Sequence, residues 1–179
     1  MKLVPTPLPG AFVVELEPRC DERGWFARTF DAAVFTELGL DPRVVQCNTS
    51  FNERAGTLRG MHFQAAPHGE PKLVRCTRGA VYDVVVDLRP DSPAFRRWFG
   101  IELRAGGTAS LYAPAGLAHG FQTLEDASEV HYQMGHHYVP EAASGVRWDD
   151  PAFGIAWPDP PPGGRVISER DAGYPDFAA

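Results

Sequence analysis

Residues 81–88 set the pattern for most of this chain. Tyr82, Val84, Val86 and Leu88 share one face of an extended segment, while Asp83 and Asp87 share the other with Val81 and Val85. A period of two predicts a strand, and the run 72–77, set off by the turn-like Arg78-Gly79, predicts another. Similar runs at 12–16, 44–47, 98–103, 109–112, 120–124 and 129–134 are bounded by Gly, Pro or Asp. One segment has helical spacing instead. Asp31 is placed to cap a turn in which Val34, Phe35 and Leu38 share a face, and Gly39 supplies the stop. So many short strands with a single clear helix predict an all-β sandwich or jelly roll.

From about residue 140 the alternation gives way to Trp148-Asp149-Asp150-Pro151 and then Trp157-Pro158-Asp159-Pro160-Pro161-Pro162-Gly163-Gly164. A disordered linker would leave Trp148, Phe153, Ile155 and Trp157 in water, so residues 140–179 are expected to form a tail that wraps over the barrel. At 179 residues the chain fits one domain, 1–179, with a full core. Its 17 Pro and 18 Gly, interspersed rather than repeated, suit many turns between short strands.

A formal net charge of −6 argues against nucleic-acid polymers and anionic membranes as partners, yet leaves room for a few clustered Arg and Lys to hold one phosphorylated small molecule. Cys20, Cys47 and Cys76 are odd in number and lack Cys-x-x-Cys spacing, which speaks against a disulfide framework or a zinc ribbon and for a reducing cytoplasm. The N-terminal residues have no apolar signal core, and no run approaches the roughly 18 apolar residues that span a bilayer.

Chemistry concentrates in two motifs. Gly56-Thr57-Leu58-Arg59-Gly60-Met61-His62-Phe63-Gln64 places Arg59 and His62 in a strand-like run, where a buried polar group without a partner costs about 1–3 kcal/mol. Their odd separation puts them on opposite faces of a regular strand unless Gly60 supplies a bulge. In Pro114-Ala115-Gly116-Leu117-Ala118-His119-Gly120-Phe121, a turn delivers His119 to the entry of a strand, and Pro-x-Gly-x-x-His is the second signature of cupin barrels. Metal-binding cupins add a His-x-His pair, which is missing around His62, so no metal site is expected. His136 and His137, adjacent in sequence, read as surface residues.

Taken together, Gln46-Cys47-Asn48-Thr49-Ser50, Leu58 to Gln64, Lys72-Leu73-Val74, residues 83–89, Pro114 to Phe121, Tyr132, Tyr138 and Trp148-Asp149-Asp150-Pro151 closely resemble the dTDP-4-dehydrorhamnose 3,5-epimerase family. The match extends from Arg23-Gly24-Trp25-Phe26 to Ser168-Glu169-Arg170-Asp171, most of the chain. The resemblance implies a cupin jelly roll, usually a homodimer, that acts without metal or other cofactor on a dTDP-4-keto-6-deoxyhexose. A ketone at carbon 4 acidifies the hydrogens on carbons 3 and 5, so the reaction needs a base on one face, an acid on the other and a group that stabilises the enolate. By resemblance His62 is the base, and imidazoles in general titrate near about 6.5, suited to proton abstraction at neutral pH. Asp171 orients its ring, Tyr132 donates the proton, and Lys72 stands by the ketone oxygen. Arg23, Arg59 and His119 resemble contacts to diphosphate or sugar. Gln46 and Asn48 lie in the family's nucleotide-contacting segment, and Tyr138 resembles the aromatic that stacks on thymine.

The chain departs from the family where Arg28 and Ala143 replace acidic residues and Arg170 replaces a frequent Lys, all at ligand-contacting positions. Members with such drift often invert only carbon 3 or only carbon 5. Three readings follow: a 3,5-epimerase, a single-carbon epimerase of a related nucleotide deoxysugar, and a catalytically silent cupin that binds a nucleotide sugar. Intact His62, Tyr132 and Asp171 argue against the third, since a binding module needs no acid and base.

Overall fold

The computed structural model describes residues 1–178. Its strands are β1 (Lys2–Pro5), β2 (Phe12–Glu15), β3 (Arg19–Asp21), β4 (Gly24–Phe26), β5 (Gln46–Asn52), β6 (Leu58–Gln64) and β7 (Lys72–Arg78), followed by β8 (Ala80–Asp87), β9 (Trp98–Arg104), β10 (Ala109–Ala113), β11 (Leu117–Thr123), β12 (Ser128–Met134) and β13 (Ala143–Gly145). Two short helices join them, α1 (Ala32–Glu37) and α2 (Glu169–Ala172). Strands β1-β2-β10-β7-β12-β5 form one antiparallel sheet, β13-β6-β11-β8-β9 a second, and β3-β4 a separate hairpin. The two large sheets pack face to face as the jelly roll that the short, alternating strands predict.

Alternation decides what goes between the sheets. Val81 and Val85 of β8 meet Val74, Leu111 and Val130 of the facing sheet in the main core. The opposite face of β8 is also covered. Val84 and Val86, with Met61 and Ala118, pack against Val146 and Phe153, and Ile155, Trp157 and Phe177 close over them. Residues beyond β13 therefore lie across the outer face of the five-stranded sheet, held there by Met61 N–H donating to the Val146 carbonyl at 3.1 Å, by Gln122 Nε2 donating to the Pro158 carbonyl at 3.2 Å and by Arg165 Nε donating to Gln122 Oε1 at 2.8 Å. Each such buried aliphatic side chain stabilises by roughly 1.5–3 kcal/mol, so the segment is a structural layer of the fold.

Three expectations shift. Asp31 caps α1, accepting from Ala33 N–H at 3.0 Å and Val34 N–H at 3.4 Å, but Leu38, expected on the packed face, is 45 % exposed. It is the C-cap residue, outside the regular turn, and Leu40 takes its place beside Phe35. Strand β11 begins at Leu117 rather than 120, because Leu117 and Ala118 are both buried and a strand buried on both faces has no alternation to mark its start. Strand β5 runs from Gln46 to Asn52 where 44–47 was expected, since a polar edge strand pairs through its backbone regardless of side-chain pattern.

Candidate active site

Strand β6 carries the centre of the site. Opposite it on β11, His119 pairs with His62 and Phe121 with Arg59, so three steps along β6 match two along β11. The extra residue forms a bulge at Gly60, whose φ of +135° lies where side chains rarely sit and whose Cβ, if present, would be 2.6 Å from Gly120 Cα. The bulge cancels the odd spacing. Arg59 and His62 both line one cavity of about 300 Å³ between the sheets.

His62 donates from Nε2 to Asp171 Oδ1 at 2.8 Å, and Asp171 Oδ2 accepts from the Gly60 N–H at 3.0 Å. Burial alone would raise the Asp171 carboxyl, but the hydrogen bonds from His62 and Gly60 outweigh it and hold it below the usual carboxylate range. An ionised carboxylate only accepts, so Nε2 carries the proton of this contact, and in the neutral ring Nδ1 keeps its lone pair. The His62 side chain is 41 % exposed and that of Asp171 only 7 %, so the imidazole opens to the cavity while its partner sits behind it. Helix α2 makes this possible: Ser168 caps it, accepting from the Asp171 N–H at 3.1 Å, and fixes the carboxylate's approach to β6.

Tyr132 comes from β12 in the facing sheet. Its hydroxyl lies 3.2 Å from Ser50 Oγ, its ring stands edge-on to His119 at 5.9 Å, and burial pushes the phenol well above its ordinary range. It therefore rests protonated. His119, buried, bonds through Nε2 to Asp83 Oδ1 at 2.7 Å. Lys72, at the start of β7, donates to the His62 carbonyl at 3.0 Å and pairs with Glu70 Oε1 at 3.1 Å. Burial lowers its pKa, opposed by the charge of Glu70.

Gln46 and Asn48 on β5 line the same cavity, and Tyr138 and Arg170 stand at its rim. Tyr138 is exposed and its N–H donates to Gln46 Oε1 at 3.2 Å, while Arg170 donates to the Tyr174 hydroxyl at 3.2 Å. Ala143 also lines the wall, so the departure at this position changes the cavity's surface. Arg23 and Arg28 are elsewhere. Arg23 tips the β3-β4 hairpin, paired with Asp21 at 2.5 Å, and Arg28 pairs with Asp31; neither borders this cavity.

Several contributors went unread in the sequence. Gln64 donates to Glu70, to the His68 carbonyl and to the His137 carbonyl, while its Oε1 accepts from Val139 N–H, tying the cavity's mouth together. Asn52 accepts from Arg59 Nε at 2.7 Å and so aims the guanidinium. Glu70 carried a signal that was there to use: it precedes Lys72 by two residues, a spacing that puts both on one face of an extended chain. No group of three or more His, Cys, Asp or Glu side chains among the described residues is arranged to hold a metal ion.

An imidazole on one sheet bonded to a carboxylate from α2, a protonated phenol on the facing sheet and a lysine paired with Glu70 beside them form an arrangement able to move protons at two faces of one molecule. A family model described as dTDP-4-dehydrorhamnose 3,5-epimerase matches residues 5–179. This chain belongs to that family. It is 44 % identical over 174 residues to the dTDP-4-dehydrorhamnose 3,5-epimerase of Methanothermobacter thermautotrophicus, covering 97 % of this chain and 92 % of that one. The crystal structure of the enzyme of that name from Elizabethkingia anophelis superposes with a TM-score of 0.94 at 38 % identity, covering 99 % of this chain and 96 % of that chain. ChmJ, a 3'-monoepimerase from Streptomyces bikiniensis solved with dTDP-quinovose, superposes with a TM-score of 0.88 at 35 % identity, covering 96 % and 86 %. No helix among the described residues is long and apolar enough to cross a membrane.

Proposed function

We propose that this chain epimerises dTDP-4-keto-6-deoxy-D-glucose at carbons 3 and 5. The observation that carries the reading is the placement of His62 and Tyr132 on facing sheets across one cavity, a base and an acid for opposite faces of a sugar ring. His62 Nδ1 takes the proton alpha to the ketone, and the imidazolium that forms is stabilised by Asp171. Negative charge then collects on the carbon-4 oxygen, where the Lys72 ammonium offsets it. The Tyr132 hydroxyl delivers a proton from the other side; once His62 has released its proton to water and the Tyr132 phenolate has taken one back, the same steps at the second carbon complete the double inversion. Arg59, Gln46 and Asn48 supply donors for the diphosphate and nucleoside, and Tyr138 offers a face on which thymine stacks.

The functional unit in this reading is a cytoplasmic homodimer. The hairpin β3-β4 exposes Trp25 and Phe26, the latter by 73 %, and keeps Arg23 and Arg28 away from the chain's own cavity, which suits docking against a second copy whose cavity they complete. Light scattering tests the assembly. A second reading, inversion at one carbon only, is favoured by the likeness to a 3'-monoepimerase and by Ala143 in the cavity wall. Proton NMR of the substrate with the enzyme in heavy water separates these. Deuterium at carbons 3 and 5 with inversion at both is expected; label at one carbon supports the second reading, and none overturns both.

A further inference from the structure

Glu70 has no place in the mechanism above, yet among the described residues it is the one carboxylate that lines the cavity, and its side chain is only 9 % exposed. Its two oxygens are divided. Oε1 meets Lys72 Nζ at 3.1 Å and Oε2 accepts from Gln64 Nε2 at 3.2 Å, and Gln64 is itself fixed by the His68, His137 and Val139 backbone. Lys72 Nζ has three N–H donors, of which Glu70 and the His62 carbonyl take two. One remains for the cavity.

We propose that Glu70 is a positioning residue for the reaction: anchored by Gln64, its carboxylate holds the Lys72 ammonium against the cavity wall so that the remaining N–H faces the substrate's carbon-4 oxygen. The inference rests on the epimerase reading for the role of that oxygen, but the Glu70–Lys72 relation stands on geometry alone. The Glu70 carboxylate from the preceding loop and the His62 carbonyl from β6 contact Lys72 directly, the charge of Asp83 from β8 also acts on it, and the His62 ring and Arg59 from β6, His119 from β11, Tyr132 from β12, and Tyr138 and Arg170 line the same cavity. Of the two carboxylates, Asp83 is already bonded to His119, while Glu70 makes the direct contact with Nζ. Burial lowers the Lys72 pKa and Glu70 contributes the largest opposing effect. Without that charge the amine loses its proton at a lower pH and no longer offsets a developing oxyanion.

The chain makes a direct test possible because Lys2 and Lys72 are its only lysines. In protein labelled with carbon-13 lysine, the Lys72 ε resonance reports its titration without reference to catalysis. Glu70→Gln keeps the shape and the contact with Gln64 but removes the charge. The expected result is a Lys72 titration displaced to lower pH by about 1 unit or more, the range an opposite charge at this distance produces. The alkaline limb of the turnover profile should move the same way, with kcat falling more than KM changes. Glu70→Asp should restore part of both. An unmoved Lys72 titration in Glu70→Gln overturns the proposal, as does a rate loss of equal size at every pH. If the titration moves but neither wild type nor variant exchanges substrate hydrogens, the Glu70–Lys72 relation holds and the epimerase reading is what fails. Should Glu70→Gln unfold, Gln64→Leu, which removes the anchor and leaves the charge, must lower turnover while Lys72 stays charged, or the positioning role is wrong.

Discussion

Two histidine–aspartate pairs lie side by side in this molecule and do different work. His62 and His119 face each other across the β6-β11 ladder, and each binds an aspartate through Nε2, at 2.8 and 2.7 Å. In the first pair both carboxylate oxygens are satisfied and the imidazole is 41 % exposed toward the cavity. In the second the histidine side chain is 5 % exposed, the aspartate is fully buried, and Asp83 Oδ2 has no partner. The same two residue types thus give in one place an imidazole open to the cavity, the base of the proposed mechanism, and in the other a buried imidazole whose ring stands edge-on to Tyr132 at 5.9 Å. Accessibility and the bookkeeping of lone pairs separate the roles where residue identity does not.

The largest test of that contrast is the rate. His62→Ala is expected to lower turnover and solvent-deuterium exchange at every labelled carbon by about 10² to 10⁴, the usual contribution of a general base, with the fold intact by circular dichroism. His119→Ala should cost distinctly less; equal losses in the two variants would make the pairs equivalent and dissolve the comparison. Next in size, Tyr132→Phe should reduce inverted product by about 10² or more while deuterium still enters with retained configuration, since the base is untouched. Undiminished inversion would move the acid elsewhere.

Stability tests the other side. Asp83→Ala leaves a buried His119 nitrogen without its partner, and urea unfolding should show about 1–3 kcal/mol of destabilisation. A neutral outcome would mean that the unpartnered Asp83 oxygen already costs as much as the bond provides. The smallest effect concerns pH. Because the Asp171 carboxyl is held below its unfolded value, its contribution to stability is present above about pH 4 and is lost as pH falls through the folded value. The stability gap between wild type and Asp171→Asn should therefore be widest near neutrality and narrow toward pH 3. A gap constant over that range would show that the ionised form is not what the fold favours.

Much of the architecture was legible because period-two patterning reports faces directly. Strand β8 could be read residue by residue, and the cap of α1 was visible in Asp31. What escaped were elements whose side chains carry no pattern: β3, β4 and β13 are three residues each and contain no fully buried residue, so neither burial nor alternation marks them. The site was legible to a similar depth. His62, His119 and Lys72 stand out as polar residues in apolar runs, whereas Asn52 and Gln64 look like ordinary strand amides until their partners are known.

The sequence by itself determined which residues alternate, where the turns fall and which chemically capable side chains exist, since these follow from backbone sterics and local hydrophobic spacing. The tertiary structure alone decided who meets whom. No local rule joins Asp171 to His62 across 109 positions, brings Tyr132 over from the facing sheet, or lets a bulge at Gly60 turn Arg59 to the same side as His62. Those encounters are set when two sheets close on one core and the C-terminal segment seals the outer face. Proton transfer depends on distances of about 3 Å, which the closed core fixes and the linear order of residues does not contain.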